Sequence, residues 1–233
     1  MKDTILFGDC RKTISTITEP VKMCVTSPPY YGLRDYGGEE NQIGQENSPE
    51  EFVDQLVEVF KNVREVLTDD GTLWINIGDS YYNYRPGKGQ SYPKQSVSKT
   101  KQDLPDKCNK RGNKLQGLKE KDLIGIPWLL AFALRSDGWY LRQDIIWHKP
   151  NPMPESVRDR CTKSHEYIFL LSKNRKYYYD NEAIKEPAKD WGTRDRTKGK
   201  YHNEGTGLQP HSGLTKSYPT KNKRSVWSVT NKP

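Results

Sequence analysis

A chain of 233 residues with 33% apolar side chains is long enough to bury a real core in one domain, which excludes a mini-protein held by crosslinks. No run approaches the roughly 18 apolar residues of a membrane span. The opening MKDTILFGDC also lacks a signal peptide's charged start and long apolar stretch, so a soluble, cytoplasmic protein with no membrane partner is expected. A net charge of +8 points to a polyanionic partner.

The charge is unevenly spread. Residues 82–121 carry eleven Lys/Arg against three acids and residues 183–233 eleven against four, leaving the remainder acidic. Basic runs alone fit a solvated or disordered surface better; two of them on one acidic, apolar scaffold shift the balance towards nucleic acid. Cys10, Cys24, Cys108 and Cys161 are scattered without a C-x-x-C pair, so they read as ordinary thiols, with neither a disulfide framework nor a metal site.

In chain order, Ile5-Leu6-Phe7 reads as a short strand ending at Gly8-Asp9, and Val21 to Thr26 as a second ending at Ser27. A helix follows, with Ser48 as N-cap, Pro49 in its first position and Glu51 completing a capping box. Its apolar stripe is Phe52, Leu56, Val59, Phe60, Val63 and Leu67, and Asp69-Asp70-Gly71 ends it. Thr72 to Gly78 reads as a buried strand, and the aperiodic segment 82–121 as an insertion. Pro127 can start a helix through Leu134 that Gly138 caps. YLRQDIIWHKP and HEYIFLLSK read as further strands. From Ala183 the sequence turns polar and Gly-rich, with an apolar island at Val226-Trp227. Alternating strands and helices imply an α/β sheet, whose ligands gather at the carboxyl ends of its strands.

Ser27-Pro28-Pro29-Tyr30 stands at such an end. Two consecutive prolines fix two φ angles and donate no N–H, so their carbonyls are held with no nearby amide competing for them. The serine hydroxyl adds an acceptor and the tyrosine a flat stacking surface. An exocyclic amino group of a nucleobase, with two N–H bonds and a π-face, matches those features once the base is flipped out of its duplex. The same four residues also make a purely structural turn; Tyr31, Arg34, Asp35 and Tyr36, crowded behind it, favour the acceptor platform.

The chain resembles the amino-methylating DNA methyltransferases of bacterial restriction-modification systems and phages, in the permuted order that puts the catalytic motif first. The resemblance rests on GDC (Gly8–Cys10), TSPPYYGLRDYG (Thr26–Gly37), GTLWINIGDSY (Gly71–Tyr81), DIIWHKPN (Asp144–Asn151), SHEYIFLLSK (Ser164–Lys173) and RSVW (Arg224–Trp227). It implies a circularly permuted, Rossmann-like fold dependent on S-adenosylmethionine, with double-stranded DNA as partner and a cognate restriction endonuclease. Ser27, Pro28, Pro29 and Tyr30 would form the catalytic loop, Asp9 and Asp79 would lie near the cofactor, and Tyr31, Trp147 and Lys149 would line the base pocket. W-x-K-P-N also suits a strand end kept for packing.

The implied organisation is a catalytic region 1–182, its insertion 82–121 a flap over DNA, a target-recognition segment 183–223, and a return towards the cofactor half at 224–233. Arg34, Lys110, Arg111, Arg194, Arg196, Lys198 and Lys200 would meet DNA, with Trp191, Tyr201 and His202 available for base or sugar contacts; a flexible basic linker fits 183–223 equally.

The family's Gly-rich cofactor element follows R-x-V-W, and this chain stops at Pro233. Gly87/Gly89 and Gly205/Gly207 have no apolar strand before them and do not replace it. The expectation is therefore a fold incomplete at its C-terminus, needing a second chain or a missing segment for the cofactor. Serine at the first catalytic position resembles cytosine-N4 more often than adenine-N6 enzymes. An inactive DNA-binding fragment, one half of a split enzyme and an RNA methyltransferase remain the alternatives.

Overall fold

The computed structural model describes residues 3–33, 42–82, 115, 117–188 and 218–230. They fall into two compact units, Met1–Tyr178 with Val226–Pro233, and Tyr179–Ser225.

In the larger unit, β1 (Val21–Thr26) forms where the alternating sequence places it. α2 (Pro49–Val66) starts as its caps require: Ser48 Oγ accepts the Glu51 N–H at 3.2 Å. The reciprocal bond differs from a strict capping box, because the Glu51 carboxylate takes the N–H of Asn47, at 3.1 Å. Phe52, Leu56, Val59, Phe60 and Val63 are buried along one stripe. The helix ends at Val66, short of the expected Asp69, because Leu67 already pairs with Val21 and opens β2 (Leu67–Ile77). Thr68 to Gly71 are taken up by a register shift between Val21 and Met23, so the acidic pair sits in a bulge inside the strand instead of a loop before it.

Tyr82, buried, receives the Lys121 N–H and gives its own to Asp122, both at 2.8 Å, so the two ends of the basic segment are stitched together. α3 (Ile126–Ser136) leads through Gly138, at φ +104°, into β3 (Tyr140–His148) and β4 (His165–Ser172); β7 (Val226–Ser228) returns to the sheet. The sheet order is β1-β2-β4-β3-β7, with β1 parallel to β2, β7 parallel to β3, and β4 antiparallel to both neighbours.

One face is built into the core: Leu73, Ile75, Ile77, Phe169 and Leu171 pack with the apolar stripes of α2 and α3. Trp128 of α3 meets Tyr167 and Phe169 edge-on, at 5.6 and 5.2 Å. On the other face Trp74 and Trp227 lie 6.2 Å apart. No helix among the described residues is long and apolar enough to cross a membrane.

Ile5 to Phe7 form no strand. Ile5 is 77% and Phe7 86% exposed, and β-propensity makes a strand only where a ladder partner accepts its backbone groups. The chain turns instead into a short helix, α1 (Cys10–Thr13), which Asp9 caps.

In the smaller unit, β5 (Glu186–Pro187) and β6 (Thr220–Lys221) pair antiparallel. Glu186 gathers Lys223 at 3.1 Å and Arg224 at 3.4 Å, and the Lys223 hydrogen bond, first among these influences, holds its carboxyl below the usual range. The insertion between residues 83 and 114, with Lys110 and Arg111, and the basic residues Arg194, Arg196, Lys198 and Lys200 lie outside the described residues, as do Arg34, Trp191, Tyr201 and His202.

Candidate active site

Strand direction gathers the site. β1, β2 and β3 run one way and β4 the other, so the carboxyl ends of three strands meet the amino end of the fourth at one end of the sheet. Register then selects the face. Val25 pairs with Trp74, Asn76 with Ile168 and Trp147 with Glu166, and paired residues share a face while successive residues alternate. Asn76, Trp147 and Glu166 therefore stand on the face away from the helices, at the end where Ser27 leaves β1.

These side chains bond one another. Tyr30 Oη donates its proton between Glu166 Oε2, at 2.9 Å, and Asn76 Oδ1, at 3.1 Å. Asn76 Nδ2 donates to Glu166 Oε2 at 3.1 Å and to the Tyr167 carbonyl at 3.2 Å, which fixes the amide's orientation. Ser27 Oγ lies 3.4 Å from Asn76 Oδ1. The second carboxylate oxygen of Glu166 pairs with Lys149 Nζ, and that ammonium sits 5.5 Å over the Trp147 ring.

The electrostatics follow from burial and partners. Burial pushes the Glu166 carboxyl up, yet the hydrogen bonds from Lys149, Tyr30 and Asn76 outweigh it and hold the group below its ordinary value. Burial, more than the neighbouring Glu166 charge, pushes the Tyr30 phenol up to about 12, although a hydrogen bond from Ser27 acts the other way. Tyr30 is thus a neutral donor near pH 7. Its ring lies on Gly78, where a Cβ would come within 2.5 Å of Cε2; any side chain there displaces the ring.

The other expected residues have different surroundings. Asp9 is taken up by Arg11, whose Nη2 lies 2.7 Å from Oδ2 and whose hydrogen bonds hold the carboxyl low; the network around Tyr30 does not include it. Asp79 Oδ1 accepts the N–H groups of Ser80, Gly125 and Ile126 at 2.9, 3.0 and 3.1 Å, which makes it a cap for α3 from outside the helix. Asp79→Ala should therefore lower stability by about 1–2 kcal/mol, read by urea unfolding; an unchanged midpoint would show that the cap contributes nothing. Tyr31 turns towards α2, its ring 5.5 Å from Phe52, and burial pushes its phenol up to about 12.

Sequence reasoning did not single out Asn76 and Glu166. Both lie inside quoted motifs at alternate strand positions, and only the register of β2 against β4 joins them.

A model of the DNA methylase family covering N6 and N4 methyltransferases matches residues 21–232. The Type II methyltransferase M.SmaI of Serratia marcescens is 46% identical over 235 residues, spanning 98% of this chain and 67% of the relative. M.Cfr9I of Citrobacter freundii is 50% identical over 194 residues, 83% of this chain and 62% of the relative. Among solved structures, the cytosine-N4-specific PvuII DNA methyltransferase superposes with a TM-score of 0.50 at 15% identity, over 76% of this chain and 51% of that one, a likeness of fold. The chain spans about two thirds of the length of these curated relatives.

Proposed function

The chain belongs to the DNA methylase family of N6 and N4 methyltransferases, and on that premise we propose that it places a flipped base against Ser27-Pro28 for methylation of its exocyclic amine. The observation that carries the reading is the tether on the catalytic turn: Tyr30 bonded to Asn76 and Glu166, with Ser27 beside Asn76. The amino group donates one N–H to the Ser27 hydroxyl and the other to the Pro28 carbonyl. Those bonds draw the nitrogen towards a tetrahedral shape and aim its lone pair, so catalysis is positioning and electrostatics without a covalent enzyme intermediate.

S-adenosylmethionine supplies the sulfonium methyl. We read its site as only partly supplied by the described residues, a reading supported by the pairing of Asp9 with Arg11, the capping of α3 by Asp79, and the lack of a Gly-rich loop after any described strand. The donor site is completed by a further segment or chain. Exposed apolar residues on β1 support this, since Val25 is 69% and Met23 57% exposed on an outer strand of the sheet. Cytosine N4 is the favoured acceptor, on the strength of serine at position 27. Double-stranded DNA is the substrate, and residues 183–223 recognise its sequence.

The test is transfer of a labelled methyl group to unmodified duplex DNA, by this chain and by the chain extended with the remaining third of a relative, followed by nucleoside mass spectrometry. N4-methylcytosine from the extended protein is expected. N6-methyladenine would overturn the base assignment, and absence of transfer from both would overturn the activity.

A further inference from the structure

The β3–β4 connection, residues 149–164, stands at the same sheet end as Ser27, and beyond its first residue, Lys149, it has no part in the chemistry above. Its stem is closed by the Lys149 N–H on the Ser164 carbonyl, at 2.7 Å. Glu155 clips it from within, accepting Arg160 Nη1 at 2.5 Å and the Lys163 N–H at 3.3 Å. Outside the clip, the Arg160 guanidinium lies 4.1 Å over the Tyr81 ring, and Asp159 pairs with Lys121 at 2.6 Å. The loop is braced on both sides.

The leading part of the loop reads Pro150-Asn151-Pro152-Met153-Pro154. Three prolines fix their own φ angles, and each restricts the residue before it to extended backbone, so Asn151 and Met153 are both confined. Met153 is 79% exposed. A single exposed apolar side chain is ordinary; one mounted on a braced, proline-stiffened loop beside an active site has already met the ordering cost that an insertion into a partner demands. Lys149 and Arg160 are engaged by Glu166 and Glu155, while Arg158 stands exposed in the connection, a positive charge that suits a phosphate flank. The root of the loop is Lys149, whose carboxylate partner Glu166 also holds Tyr30.

We propose that this loop enters the DNA duplex and that Met153 fills the space the flipped base leaves, stacking between its neighbours. The inference rests on the flipped-base reading above. Unbranched, polarisable methionine suits an irregular gap between base steps, and refilling the gap offsets the unstacking that extrusion costs.

The experiment binds the full chain to plasmid duplex and treats it with kethoxal and permanganate, which modify unpaired guanine and unstacked thymine, the partners that a flipped cytosine or adenine leaves behind. Wild type should expose reactive bases. Met153→Ala should lower that signal by about tenfold with DNA affinity held within about threefold, as expected for a lost wedge and retained phosphate contacts, and Met153→Leu should restore most of it. Because Met153 is exposed, neither change threatens the fold. Signal from Met153→Ala equal to wild type overturns the wedge and leaves base flipping standing. Equal loss in Ala and Leu variants also overturns it, since volume would then not matter. No reactive base with wild type bound removes the flipped-base reading itself, and the wedge with it.

Discussion

Ser27→Ala is expected to lower methyl transfer by roughly 10²-fold or more and to leave DNA affinity nearly unchanged. On the proposed reading the hydroxyl accepts one amino N–H of the base in a bond that strengthens as the nitrogen becomes tetrahedral, so its loss should fall on kcat and not on KM for DNA. A factor of 10² corresponds to about 2.7 kcal/mol of barrier, in the range of deleting one preorganised hydrogen-bonding group. Folding is little affected. Ser27 is exposed and its bond to Asn76 is a long 3.4 Å, while Asn76 Oδ1 keeps Tyr30 as donor at 3.1 Å; the stability change should stay within about 0.5 kcal/mol, the usual range for surface changes. The measurement is steady-state transfer in the extended, active protein, with binding followed in parallel. Transfer at the wild-type rate would remove Ser27 from the chemistry.

The parts of this fold that could be read from sequence are those whose cause is local. The caps and stripe of α2 lie within one stretch of chain, and β1, β3 and β4 are bounded by polar or turn residues of their own. The failures have non-local causes. Ile5 to Phe7 have strand composition and no ladder partner among the described residues, and the end of α2 is decided by the pairing of Leu67 with Val21, 46 positions away. The site divides in the same way. The turn at Ser27 announces itself through its two prolines, whereas Asn76 and Glu166, 90 residues apart, enter the site only through strand register. Asp79 carries a signal that resemblance ties to the cofactor, and in the fold its carboxylate serves the amino end of α3.

Glu166→Ala is expected to reduce transfer by roughly 10²-fold and to cost about 2–3 kcal/mol of stability, because it strips one half-buried carboxylate from Lys149, Tyr30 and Asn76 together. On the proposed reading Glu166 touches no reacting atom and acts as a positioning residue through Tyr30 and Asn76, and its conservative variant separates position from bulk. Glu166→Gln keeps the shape and one acceptor but loses the charge that holds Lys149. It should retain more of the stability than the alanine variant, with kcat falling about tenfold and KM for DNA little changed. The pH dependence gives an independent readout. The folded carboxyl titrates below its ordinary value of 4.5, so its ionised form is favoured by folding. That stabilisation is complete above the unfolded value and is lost as pH falls through the folded one. Wild type should therefore exceed Glu166→Gln in urea-unfolding free energy at pH 7, and the gap should narrow as pH drops below about 4.5. A constant gap from pH 7 to pH 3.5 would mean that packing, not the charged hydrogen-bond network, accounts for the role of Glu166. A narrowing gap with kcat unchanged would confine the residue to the fold and leave Tyr30 to be positioned by Asn76 and Gly78 alone.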